Sequence, residues 1–160
     1  MKKDTVYKTI REIPAFDASD DNCRIAAGRE VKSLDFERVV DTETGEIYRI
    51  PRLQASNPTW YFATGFNPRQ PEITVIELAY QTVRCNEGLQ IDLLYKLGCD
   101  DACPIQPAPS YNSFTAALSA DKRIEMRDQE GVPVRGLKHN KRFCSYHIAR
   151  DMNPRVKGLR

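Results

Sequence analysis

The sequence predicts an α+β fold: one small domain with β-hairpins and a central helix pair. Three observations predict it. Segments of strand and helix period are interspersed without a regular βαβ rhythm. Short β-branched runs in the first third are parted by turn residues. Between residues 72 and 97, apolar side chains recur at helical spacing. The 160 residues are one domain's length, enough to bury a core without disulfides.

Thr5 to Ile13 alternates weakly and is expected to be a strand ended by Pro14. Asp17-Ala18-Ser19-Asp20-Asp21-Asn22 reads as a loop or a helix start. The runs Leu34–Val40 and Glu46–Ile50 are rich in β-formers and flank the polar Asp41-Thr42-Glu43-Thr44-Gly45, a hairpin signal. Pro51 limits the second strand or puts it on an edge. After the Asn57-Pro58 turn, Thr59 to Phe66 is expected to be a strand with Trp60, Phe62 and Phe66 on one face. Aromatics exposed on a sheet can stack on bases, but a single tryptophan in an apolar run is first a core residue.

Ile73, Ile76, Tyr80 and Val83 predict an amphipathic helix over residues 72–84, stopped by Asn86-Glu87-Gly88. Leu89, Leu93, Leu94 and Leu97 extend the period into a second helix, with Gly98 as its C-terminal cap. A hairpin of two long strands is the competing assignment. The helix pair also has the outline of a helix-turn-helix, yet the second helix offers Gln90, Asp92 and Lys96, and Asp92 repels phosphate. A plain antiparallel pair in the core explains it better. Residues 99–109 form a proline-rich connector. Asn112 or Ser113 is expected to cap a short helix through Phe114, Ala117 and Leu118. Arg123–Arg127 and Val132–Val134 read as a second hairpin, and Phe143 to Asp151 as one more short helix.

Charge divides the chain. Residues 131–160 hold eight cations (Arg135, Lys138, Lys141, Arg142, Arg150, Arg155, Lys157 and Arg160) against one acid, Asp151, a net of +7. The other 130 residues carry 16 cations and 21 acids, a net of −5. This sets the expected organisation: a mixed core over 1–134, and a basic segment over 135–160 packed on or extending from it. Clustered cations neutralise phosphates and release counterions, so nucleic acid or a nucleoprotein is the expected partner. Phe143 and Tyr146 interleave with the charges and offer stacking surfaces. The bland alternative is a solvated tail.

Five cysteines occur. The opening residues have two lysines and no apolar stretch after them, so no export signal is expected, and no run is long enough to cross a membrane. A cytoplasmic setting with reduced thiols follows as the expectation. Cys99-x3-Cys103 and Cys144-x2-His147 then form a candidate zinc set, because short loops let one turn supply two tetrahedral ligands. Such a site would be closed and structural. Cys85 and His139 are possible substitutes, and the plain reading is small core thiols.

No catalytic set is evident. The alternatives to nucleic-acid binding are a protein-interaction inhibitor or adaptor, of the kind phages and plasmids encode, and a cysteine- or metal-dependent hydrolase. The last rests on Cys144, His147 and Asp151 sharing a face if residues 143–151 are helical. No small-molecule substrate is indicated. The glycines stand alone, without a phosphate-cradling loop.

Overall fold

The computed structural model describes residues 1–64, 72–100, 102–134 and 143–150. The fold is α+β, as the sequence predicts, with an antiparallel sheet and helices. The chain forms two compact units, Met1–Ile73 with Asp101–Gln106, and Thr74–Asp100 with Pro107–Arg160. No helix among the described residues is long and apolar enough to cross a membrane.

The first unit is built on a seven-stranded sheet in the order β3-β2-β6-β5-β4-β1-β7. Its strands are β1 (Val6–Thr9), β2 (Ile13–Phe16), β3 (Asn22–Ile25), β4 (Glu30–Ser33), β5 (Arg38–Asp41), β6 (Ile47–Arg49) and β7 (Phe62–Ala63). Every pairing is antiparallel. In β1, β2 and β4 alternate residues turn inward, so Tyr7, Ile13, Ala15 and Val31 are buried; Val39 of β5 joins them. The β5–β6 hairpin is where the sequence placed it. Gly45 takes φ +75°, and the buried Asp41 carboxylate accepts the backbone N–H groups of Glu43 (2.9 Å) and Thr44 (3.1 Å). Arg29 closes on the same carboxylate at 2.8 Å.

Two expectations are corrected here. Pro14 does not end a strand but lies inside β2. The β6 neighbour meets β2 only at Phe16↔Arg49, so the strand has one partner, β3, at Pro14, where a missing N–H is tolerated. Over its described part, Thr59–Phe66 is helical at the start and a strand only at Phe62–Ala63. Two short helices, α1 (Arg52–Ser56) and α2 (Pro58–Tyr61), precede the two-residue β7. Pro58 starts a helical turn because its fixed φ suits a first position and its absent N–H would have no partner there. Trp60 and Phe62 are both buried, which fits their core reading; Phe66 lies outside the described residues.

In the second unit, α3 (Val75–Cys85) packs against α4 (Ile91–Gly98), α5 (Tyr111–Ala120) and β9 (Ser145–Ile148). Thr74 caps α3, its hydroxyl accepting the Glu77 N–H at 3.1 Å. Ser110 caps α5 by accepting from the Ser113 N–H, two or three residues before the caps read from sequence, Asn112 or Ser113. The core holds Leu78, Val83, Ile91, Leu94, Phe114 and Leu118. Strand β8 (Ile124–Arg127) bends back towards Val132–Val134 as expected, with Arg127 bridging Pro133 and the Val134 N–H donating to Met126. Its full partner is β9, antiparallel in the register Glu125↔His147 and Arg127↔Ser145. The expected helix at 143–151 is therefore a strand over Ser145–Ile148.

Candidate nucleic-acid interface

Seven of the eight cations singled out in the basic segment, Arg135, Lys138, Lys141, Arg142, Arg155, Lys157 and Arg160, lie outside the described residues, as does His139. Arg150 is described. Its side chain is 78% exposed, with Nη2 3.9 Å from Glu87 Oε2.

The described part of that segment is Phe143–Arg150, and it belongs to the second unit. Its burial alternates. Cys144 and Tyr146 point inward and are buried, while Ser145 and His147 point outward and Phe143 is 50% exposed. This is the period of a strand with one covered face. Tyr146, expected as a stacking residue, is instead a core side chain at 1% exposure. Its hydroxyl has no hydrogen-bond partner among the described residues, and burial raises its pKa to about 12. Phe143 is left as the exposed aromatic of the pair.

Around the outward row, β8 supplies Glu125 and Arg127, joined by a 2.8 Å ion pair. Ser145 Oγ and His147 Nε2 are 2.8 Å apart, and His147 Nδ1 lies 3.9 Å from Glu87 Oε2. Burial lowers the His147 pKa and Arg127 lowers it further, against the opposing pull of Glu87 and Glu125. The net shift favours the neutral imidazole. Sequence reasoning missed this Glu87–His147–Ser145–Arg127 cluster. Period two over Phe143–His147 was the available signal, hidden by reading the segment as a helix.

The candidate zinc residues are distributed as follows. Cys99 is the half-buried C-cap of α4, Cys103 and Cys144 are buried, and His147 is on β9. Cys85, the described substitute, is buried too. Among the described residues, no group of three or more His, Cys, Asp or Glu side chains is placed to hold a metal. The shared helix face that would activate Cys144 is absent, since Cys144 and His147 alternate to opposite sides of an extended segment. Burial also pushes the Cys144 thiol pKa up, away from thiolate character. On α4, Asp92 accepts a hydrogen bond from the Tyr111 hydroxyl at 2.9 Å, so it supports helix packing and offers nothing to a DNA groove.

Elsewhere, described arginines are matched to carboxylates nearby. Arg24 meets Glu12, Arg29 meets Asp41 and Glu43, Arg38 meets Asp35, Arg49 meets Asp20, and Arg123 meets Asp121 and Glu77. Compared with known proteins, the chain matches no family model, no curated protein and no solved structure.

Proposed function

We propose that this is a non-catalytic cytoplasmic binding protein that contacts a polyanion, nucleic acid or a nucleoprotein, through its C-terminal basic segment. One contrast carries the reading. Arg24, Arg29, Arg38, Arg49, Arg123 and Arg127 sit against carboxylates of the folded units, whereas residues 131–160 hold eight cations and the single acid Asp151. A segment with one acid for eight cations draws most of its counter-charge from outside itself.

Retention on heparin and on a mixed-sequence oligonucleotide column tests this. The intact chain is expected to bind and to elute with salt. A variant with Arg135, Lys138, Lys141, Arg142, Arg155, Lys157 and Arg160 changed to Gln is expected to pass through. Truncation after Val134 is the wrong control, because it removes β9 together with the buried Cys144 and Tyr146. Equal retention of intact chain and variant would remove the reading.

A second reading, docking on a partner protein, is favoured by one observation. Leu93 and Leu97, one turn apart on α4, are 48% and 39% exposed. Co-purification of a stoichiometric protein free of nucleic acid would select it. A structural zinc on Cys99, Cys103, Cys144 and His147 is a separate proposal about stability. It requires stoichiometric zinc in the purified chain and a Tm that falls on chelation.

A further inference from the structure

We infer that residues 102–106 are a strap latched by Arg11, which opens locally while both units stay folded and so uncovers the thiol of Cys103. The inference is independent of the polyanion reading.

Connectivity sets the strap apart. The chain leaves the first unit after Ile73, builds α3 and α4, returns to the first unit over Asp101–Gln106, and leaves it again at Pro107. The strap therefore runs from the end of α4 at Gly98 to the Ser110 cap of α5, with both ends tied to elements of the second unit. It belongs to no helix or strand, and Pro104, Pro107 and Pro109 have no N–H to give to a ladder. Even so, Ala102 and Cys103 are buried, at 2% and 0% exposure.

Side chains meet the strap at one carbonyl. The Cys103 oxygen accepts from Arg11 Nη1 and from Gln106 Nε2, each at 2.8 Å. The Gln106 bond is internal to the strap and travels with it. The Arg11 bond crosses to the body of the first unit and must break on opening. Arg11 lies between β1 and β2, and its Nε donates at 3.1 Å to the carbonyl of Trp60 in α2, so the guanidinium joins α2 to the strap. A bond from a charged donor is roughly twice as strong as a neutral one, which makes Arg11 the latch. Segments outside the ladders open with less free energy than the core they rest on.

Labelling of the native chain with N-ethylmaleimide, followed by peptide mapping, reads the opening thiol by thiol. EDTA keeps any metal from masking the thiols. Arg11→Met keeps the aliphatic stem and removes the donors. It is expected to speed Cys103 labelling about ten- to one-hundredfold, as loss of a hydrogen bond to a charged group gives, and to leave Cys85 and Cys144, buried in the second unit, within about twofold of the parent. Arg11→Lys keeps the charge and should fall between. Trp60 fluorescence and far-UV circular dichroism should match the parent, showing both units folded. An unchanged Cys103 rate, or equal acceleration at Cys85, Cys103 and Cys144, would overturn the strap. If Arg11→Met fails to fold, the parent decides the question in sub-denaturing urea. A local opening gives Cys103 a weaker urea dependence than Cys85 and Cys144, and one shared dependence would overturn it.

Discussion

Gly98 and Thr82 approach so closely that a β-carbon on the glycine would fall 2.8 Å from the threonine hydroxyl, and 3.3 Å from the Phe114 ring. The last turn of α4 thus rests on α3 and α5 where only a hydrogen fits. Thr82 is fully buried and its hydroxyl donates to the Leu78 carbonyl at 2.7 Å, so it has little room to give. Gly98→Ala is expected to destabilise the chain by about 1–3 kcal/mol, as overpacked cores do. Denaturant unfolding measures it; an unchanged midpoint would show that the helices separate at no cost. Sequence assigned Gly98 to a helix cap, but its φ is not positive: the residue is needed for space.

Tyr146 carries a polar atom into the core without a partner among the described residues. A buried hydroxyl left unpaired costs about 1–3 kcal/mol relative to a satisfied one. Tyr146→Phe is therefore expected to be neutral or to stabilise by about 1 kcal/mol. A Tm drop of several degrees would mean that the hydroxyl is bonded after all.

The Arg29–Asp41 pair fixes the β5–β6 turn to the start of β4. Burial raises the Asp41 pKa, but the Arg29 hydrogen bond and the Thr44 and Glu43 N–H groups outweigh it and hold it below the usual carboxylate range. A carboxylate with a depressed folded pKa contributes stability above its unfolded pKa and loses it as pH falls through the folded value. Asp41→Asn should lower stability at pH 7, by about 1–3 kcal/mol for the unsatisfied donors, and flatten the acid limb of the stability profile. A parallel profile for parent and variant would contradict the assignment.

His147 acts in the same protonic sense, in a higher pH window. Its folded pKa is lowered from 6.5, so between the two values the unfolded chain binds more protons and stability rises with pH. Thermal unfolding from pH 5 to 8 should show a Tm that increases through this window, and His147→Gln should remove that part of the rise. An unaltered slope in the variant would assign it to other groups.

What was legible in the sequence follows the length of each pattern. The apolar period of α3 and α4 spans several turns, and the β5–β6 hairpin has strands on both sides of a polar, glycine-bearing turn. Both were readable because many residues agree. Residues 143–148 are too short for that. Cys144 and His147 fit a helix ridge as well as Cys144 and Tyr146 fit a strand face, and pairing with β8 decides between them. The outward cluster could not be read before that decision, since Glu87 comes from a turn and Arg127 from the opposite strand. Thr59–Tyr61 has β-forming residues, yet Pro58 sets a helical turn before their propensity acts. Charge, by contrast, needs no fold to be counted, and so the +7 segment was visible at once.

The most direct measurement is the salt dependence of oligonucleotide binding, read as the slope of log affinity against log salt. Each phosphate neutralised on a single strand contributes a slope of about −0.7. The account predicts a steep negative slope for the parent chain that shrinks by about 0.7 for each contacting cation changed to Gln among Arg135, Lys138, Lys141, Arg142, Arg155, Lys157 and Arg160. A flat slope for the parent, or one that those seven changes leave intact, would contradict it.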